Sequence, residues 1–168
     1  KIYCEVVGGG NSADAYHFTA PHPEGRGAIK SMRDALRDAH VSPEQIDYIN
    51  VHGTSTPLGD VAEIKALGEV FGEALPSINI SSTKSMHGHL LGATGAVEAL
   101  ACVMAITRGV IPPTINCREL DPEIPANLNL TLDKAQRREV TYTLSNTFGF
   151  GGHNSTLILK KYQPETAL

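Results

Sequence analysis

A chain of 168 residues, 41% hydrophobic and 19% charged with a net charge of −4, can bury one domain core and lacks the clustered cations of a nucleic-acid footprint. Its 3 cysteines, Cys4, Cys102 and Cys117, are odd in number and have no CxxC spacing. That argues against a disulfide framework or a zinc ribbon and fits a reducing, cytoplasmic compartment. The longest apolar run, Leu90 to Ile106, is broken by Glu98 and two glycines, so no uninterrupted membrane-spanning stretch is expected.

In chain order, Ile2 to Val7 reads as a strand ended by Gly8-Gly9-Gly10. The absence of an initiator methionine before it leads us to expect a fragment or processed product. Thr19 to Gly27, with two prolines and two glycines, reads as a loop. Ala28 to Ala39 has helical apolar spacing, and Ser42 precedes Pro43 as the cap of a short helix. Ile46 to Val51 is a predicted strand that delivers His52. Asp60 to Phe71 is a helix stopped by Gly72, and Ser77 to Ser81 is a short strand.

Leu90 to Thr107 is the longest predicted helix, closed by Arg108-Gly109 ahead of Pro112-Pro113. It is apolar nearly all round, so burial on several sides is expected. Leu128 to Leu132, Val140 to Leu144 and Ser155 to Lys160 complete the predicted strands. The alternation of strands and helices implies an α/β layer with a largely parallel sheet and an antiparallel end.

Two histidines sit in runs of small and hydroxyl residues. His52 follows a strand and is followed by Thr54, Ser55 and Thr56, at the strand end where α/β sheets bind ligands. It could also be a helix-capping loop. His89 is placed at the opening of the long helix, whose positive end favours a neutral imidazole. A neutral imidazole can donate a hydrogen bond to a developing oxyanion. Lys84 stands five residues earlier among Ser81, Ser82, Thr83 and Ser85, either as a solvated side chain or as a buried charge that orients the site. Glu98 is the single formal charge between Lys84 and Arg108, which calls for a partner, a cation or a solvent crevice. The run Asn146 to Asn154, with glycines around Phe148 and Phe150, reads as a tight turn whose N–H groups could stabilise an oxyanion, or as a hairpin with two core aromatics.

The runs HGTSTPLGD, SSTKSMHGH, GATGAVEA and NTFGFGGHN, with the AYHFTAPHPEG loop before them, resemble the beta-ketoacyl-acyl-carrier-protein synthases in order and spacing. The likeness is nearest to the discrete bacterial type that elongates longer acyl chains. The resemblance implies a thiolase-like fold, of which residues 1–168 would be the carboxyl-terminal half, a mixed sheet with helices on both faces. It implies an acyltransferase that condenses malonyl-carrier-protein with an acyl thioester held on a cysteine of the absent amino-terminal half. His52 and His89 would stabilise the enolate oxygen and Lys84 would fix the position and electrostatics of His89. Phe150 would supply an oxyanion N–H and gate the acyl pocket. Thr54 and Thr56 would bond the phosphopantetheine arm of the acyl carrier protein. Asn50, Glu98, Ser145 and Asn146 match positions that hold a structural monovalent or divalent cation in some members.

No other cofactor is implied. The expected partners are the carrier protein, the amino-terminal half and a second copy of the complete synthase, with no nucleic acid and no membrane. None of the three cysteines lies in the small-residue elbow of the family's nucleophile, so this chain alone is expected to be inactive. His87 and His153 stand where threonine is common. A sheet that packs on a missing half would expose an apolar face and associate.

Other readings differ in class. One is a cysteine-lacking, non-catalytic partner subunit of a condensing heterodimer. Another is a dinucleotide-binding domain from the GxGxxA-like Gly8 to Ala13, which should open a helix. A histidine metal site is disfavoured because His87 and His89 crowd one another.

Overall fold

The computed structural model describes residues 1–164. In chain order the elements are β1 (Glu5–Ala13), α1 (Arg26–Ala39), β2 (Tyr48–Asn50), α2 (Gly59–Phe71), β3 (Asn79–Ser81), α3 (Lys84–His87), α4 (Thr94–Arg108), β4 (Val110–Ile111), β5 (Gln136–Arg137), β6 (Tyr142–Gly149) and β7 (His153–Lys160). Five strands form one mixed sheet in the order β1-β7-β6-β2-β3, and β4 and β5 form a small ladder. Strand β2 pairs parallel with β3 and β6, while β7 runs antiparallel to both β6 and β1. The sheet is therefore evenly mixed rather than largely parallel, because β7 returns antiparallel to β6 and lies between the parallel strands and β1.

Strand alternation sends successive side chains to opposite faces and so builds two cores. Ile49, Leu144 and Ile158 pack with Met32 of α1 and Leu67 of α2 on one face. Tyr48 and Leu159 pack with Cys102 and Ile106 of α4 on the other. Helices thus cover both faces, as the resemblance implied.

The glycines expected to end β1 lie inside it. A Cβ on Gly8 would sit 2.5 Å from the Ala35 carbonyl oxygen, and one on Gly10 would sit 1.9 Å from that of Ser31. Helix α1 rests directly on the strand, and only residues without a side chain permit that approach. This also removes the dinucleotide reading, because the Gly8–Ala13 run is strand and opens no helix.

The long apolar stretch also differs. A short turn of 3-10 helix at Leu91–Ala93 precedes α4, so His89 lies before the helix rather than at its first residue. The inner stripe of α4, Thr94, Glu98, Cys102 and Ala105, is buried at spacings of four, four and three residues, while Leu100 and Met104 are exposed. Residues 91–108 reach the length and mean hydropathy, 1.3, of a membrane span. Their outer face is nonetheless bare rather than buried on several sides, and Met86, Leu90 and Leu91 are exposed with it.

Residues 128–132 make isolated bridges, Ile80 to Leu130 and Thr114 to Leu132, rather than a strand. Strand β6 begins later than expected and runs on through Asn146, Thr147 and Phe148 to Gly149. The turn shrinks to residues 150–152, where Gly151 and Gly152 have φ of 85° and 77°. Ser42 caps the 3-10 turn Pro43–Gln45, its N–H donating to Gln45 Oε1 at 3.0 Å.

Candidate active site

Three parallel strands deliver the site. The carboxyl ends of β2, β3 and β6 lie at the same end of the sheet. From them come His52, the segment Lys84 to His89, and Phe148 with the Phe150 turn. This is where open α/β sheets leave a crevice.

His52 is anchored through its backbone. Its N–H donates to Glu63 Oε1 at 2.9 Å and the Gly53 N–H donates to Glu63 Oε2 at 2.9 Å. Asn146 Nδ2 donates to Glu63 Oε1 at 3.1 Å. Glu63 is buried, and desolvation pushes its carboxyl up to about 7 against these donors. The sequence reading passed over Glu63 as an ordinary member of an amphipathic helix. Its signal was a carboxylate one turn into a helix that doubles back under the loop it follows.

The two imidazoles meet. His52 and His89 lie with ring centroids 5.5 Å apart and planes at 84°. Each ring has its Nδ1 occupied as an acceptor. The Phe148 N–H donates to His52 Nδ1 at 3.2 Å. The Leu91 N–H donates to His89 Nδ1 at 3.2 Å, and the Thr94 hydroxyl lies 2.9 Å from the same atom. An Nδ1 that accepts from a backbone N–H carries no proton, so each neutral ring has its hydrogen on Nε2. Burial, then the Lys84 charge, then His89 lower the pKa of His52 to about 3. It is a neutral donor throughout the physiological range.

Lys84 and Glu98 form a buried ion pair, their side chains 6% and 0% exposed. Glu98 therefore has a cationic partner inside the fold, which resolves the anomaly of a carboxylate on an apolar helix. Burial raises its carboxyl and the Lys84 ammonium opposes that rise. The Lys84 ammonium of the pair acts on the His52 ring.

The residues named for a cation divide. Four buried oxygens have no partner among the described residues: Asn50 Oδ1, Glu98 Oε2, Thr143 Oγ1 and Ser145 Oγ. Such orphaned acceptors suit a hard cation. The Asn146 side chain is not among them. Its Oδ1 accepts from the Thr156 hydroxyl at 2.8 Å and its Nδ2 donates to Glu63, on the opposite face of β6. The fourth orphaned oxygen belongs to Thr143, two residues before Ser145 and on its face. Among the described residues no group of three or more His, Cys, Asp or Glu is arranged for a metal.

A cleft of about 500 Å³ opens over the imidazoles, lined by Thr54, Thr56, Pro21, Leu91, Phe148 and Phe150 among others. The hydroxyls of Thr54 and Thr56 are 3.2 Å apart. Phe150 is 77% exposed, at the tip of its turn. That turn is tied to the loop at residues 14–22. The Asp14 N–H donates to the Gly152 carbonyl at 2.8 Å, and the Gly151 N–H donates to the Phe18 carbonyl at 2.6 Å. Asn154 Nδ2 and the His22 N–H donate to the Asp14 carboxylate at 2.9 and 3.1 Å.

His87 lies outside the cleft. Its Nε2 accepts from Thr83 Oγ1 at 3.1 Å and its Nδ1 donates to the Gly88 carbonyl at 2.7 Å, while Asn50 Nδ2 donates to Thr83 Oγ1 at 2.9 Å. His153 is exposed and lies beside Gly151. Cys4 and Cys102 belong to the α4 side of the sheet, and Cys117 lines a second hollow with Thr54, Lys84 and His89. Burial raises the Cys4 thiol and pushes that of Cys102 to about 12, and Cys117 makes a weak contact with the Glu119 carbonyl at 3.8 Å.

Residues 3–118 match the family model described as beta-ketoacyl synthase, C-terminal domain. The chain is 51% identical over 163 residues to a 3-oxoacyl-(acyl-carrier-protein) synthase 2 of Synechocystis, and 48% identical over 163 residues to one of Staphylococcus aureus. Each alignment covers 97% of this chain and 39% of the relative, so the chain spans about two-fifths of their length. Among solved structures, the ishigamide ketosynthase/chain length factor superposes with a TM-score of 0.90 at 42% identity, covering 97% of this chain and 39% of that one. A type II PKS acyl-carrier protein in complex with its ketosynthase bound to the hexaketide gives 0.92 at 32% identity, over 97% and 40%. With four sequence runs, a mixed sheet covered on both faces and a family model over most of its length, this chain belongs to the beta-ketoacyl synthases, and it carries their carboxyl-terminal domain.

Proposed function

We propose that this chain is the carboxyl-terminal part of a 3-oxoacyl-(acyl-carrier-protein) synthase that elongates fatty acids by decarboxylative Claisen condensation. One observation carries the reading: two imidazoles, edge to face, each accepting a backbone N–H at Nδ1 with its Nε2 left free. Loss of carbon dioxide from a malonyl thioester leaves an enolate whose charge gathers on the thioester oxygen. Two preorganised neutral donors stabilise that charge without protonating the carbon that must attack. The buried Lys84 adds positive potential and keeps His52 from competing for a proton.

The attacked acyl group is held on a thiol supplied by the amino-terminal half. An activated nucleophile needs a lowered thiol pKa, whereas burial raises Cys4 and Cys102. The enolate carbon attacks the acyl carbonyl, the thiolate leaves, and the 3-oxoacyl product remains on the carrier arm. Thr54 and Thr56 bond that arm, and the turn at Phe150 contributes an N–H to the acyl oxyanion and screens the acyl pocket. Asn50, Glu98, Ser145 and Thr143 would hold a structural cation, whose charge would neutralise the orphaned oxygens.

The complete synthase works as a homodimer on acyl carrier protein, and three free thiols fit a reducing, cytoplasmic compartment. The exposed apolar face of α4 is where the amino-terminal half packs. The alternative of a non-catalytic partner gains a footing from the chain length factor in one neighbouring structure. The intact histidine pair and its Lys84–Glu98 support favour the enzyme.

The test uses the full-length synthase. Carbon dioxide release from malonyl-carrier-protein should fall by about 10²-fold or more when His52 or His89 becomes alanine. Undiminished release in both variants overturns the proposal.

A further inference from the structure

We infer that a hollow at the end of α4 remote from the histidines is a binding site for a nucleoside phosphate. It holds about 980 Å³ between residues 1–3, the last turn of α4, residues 137–140 and residues 161–162, a size that admits a small-molecule ligand. Thr94, at the start of α4, touches His89, whereas Arg108, at its end, lines the hollow. A helix of 15 residues sets the two places about 21 Å apart. The hollow thus stands outside the condensation chemistry, and its ligand does not depend on that reading.

Five cations line it, Lys1, Arg108, Arg137, Arg138 and Lys161, against one carboxylate, Glu139. The chain as a whole carries −4, so this concentration of positive charge runs against its composition. Two of the five are engaged. Arg138 is held by the Asp47 carboxylate, Asn79 Oδ1 and the Ser77 carbonyl, and Lys161 pairs with Glu139. Arg108 and Arg137 have no ion-pair partner among the described residues. The carbonyl end of α4 accounts for Arg108 by itself. It does not account for Arg137, which sits on β5 opposite Val110 and lines the same hollow. Two guanidinium forks without protein acceptors suit the oxygens of a phosphate.

The aromatic lining identifies the rest of the ligand. Tyr3 and Tyr162 both face the hollow, 56% and 36% exposed. The β1–β7 ladder ends at the Glu5–Lys160 pair, and the two tyrosines lie two residues beyond it, one on each strand's extension. The Lys1 ammonium lies 5.0 Å from the centroid of the Tyr3 ring, so charge and ring surface come together at one spot. Buried Ile106 and Val140 also line the hollow. A planar base can stack on such rings while its phosphate meets the arginines. A bare inorganic anion or an acidic peptide would leave the tyrosines unused. A long polyanion needs a continuous track of cations, which Glu139 and Asp47 interrupt. Met104, at the edge of the hollow, also belongs to the exposed outer face of α4. In the complete synthase the amino-terminal half therefore borders the site on that side.

The test is calorimetric titration of the full-length synthase with ADP, coenzyme A and inorganic pyrophosphate. ADP should bind the wild type, and Arg108→Ala combined with Arg137→Ala should weaken it by about tenfold or more. Tyr162→Ala should weaken ADP by about tenfold and leave pyrophosphate unchanged. His89→Ala, at the other end of α4, should bind ADP as the wild type does. Unchanged unfolding midpoints report that the variants are folded. ADP and coenzyme A share the adenosine phosphate unit. Tighter binding of coenzyme A makes the thioester-forming coenzyme the source of the ligand, and tighter binding of ADP makes it a free nucleotide. Failure of the wild type to bind either one overturns the inference, as does ADP binding that the double arginine variant leaves intact. Pyrophosphate binding as tight as that of ADP, with no effect of Tyr162→Ala, overturns it in favour of a plain anion patch. Loss of ADP binding in His89→Ala places the ligand in the catalytic cleft and overturns it as well.

Discussion

The two histidines of the site are held in opposite ways. The His52 loop is fixed from beneath: a fully buried carboxylate takes two of its backbone N–H groups, a strand N–H takes its ring, and desolvation holds the ring neutral. The His89 turn is fixed from the side, by a hydroxyl and a backbone N–H at the approach to α4, over the Lys84–Glu98 pair. Both supports end in the same chemical state, an imidazole with Nε2–H free. They differ in what breaks them, since one depends on a lone carboxylate and the other on a charge pair.

The largest effect should come from removing either ring. His52→Ala and His89→Ala should each cost about 10²–10³-fold in decarboxylation by the full-length synthase, read as carbon dioxide release. A much smaller loss in one variant would show that the two donors are not equivalent. Next is Glu98→Ala, which leaves Lys84 as an uncompensated buried charge and should cost about 3–5 kcal/mol in denaturant unfolding. Glu98→Gln, which keeps the shape, should lose the ion pair with less disruption.

Glu63→Gln comes third. It sets an amide donor against backbone donors and should cost about 1–3 kcal/mol. Its pH dependence sharpens the contrast. The Glu63 carboxyl moves from 4.5 up to about 7 on folding, so its contribution is fully present below about 4.5 and lost as pH rises towards 7. His52 moves from 6.5 down to about 3, so its contribution is present above about 6.5 and lost as pH falls. The stability gap between wild type and Glu63→Gln should therefore shrink as pH rises, and that between wild type and His52→Ala should shrink as it falls. Parallel slopes in the two series would contradict the assignment. The smallest effect should be Thr94→Val, which removes one of two acceptor bonds on His89 Nδ1 and should cost about 1 kcal/mol.

The site was legible where chemistry is local. His52 sits just past a short apolar strand, and the hydroxyl runs around His52 and Lys84 announce backbone-dense loops. Their meeting was legible only through resemblance, because the distance between β2 and α3 in space is not a periodicity. Glu63 stayed hidden because its burial comes from a tertiary return of α2 beneath the His52 loop. The glycines of β1 misled for a related reason: a strand pressed against a helix and a loop both call for residues without side chains. Helix α4 misled through its composition, since an exposed apolar outer face looks the same in sequence as a buried one. The turn around Phe150 was drawn too long because β6 carries Asn146 and Thr147, residues that resemble loop formers until their partners, Thr156 and Ser155, are known.

The central claim is that the neutral form of each imidazole carries its proton on Nε2 and that His52 stays neutral. It is tested most directly by ¹⁵N NMR of imidazole-labelled full-length synthase between pH 8 and 5. Both rings should show the Nε2–H tautomer with unprotonated Nδ1, and His52 should not titrate across the range. A His52 ring that titrates near 6.5, or either ring with its proton on Nδ1, would contradict it.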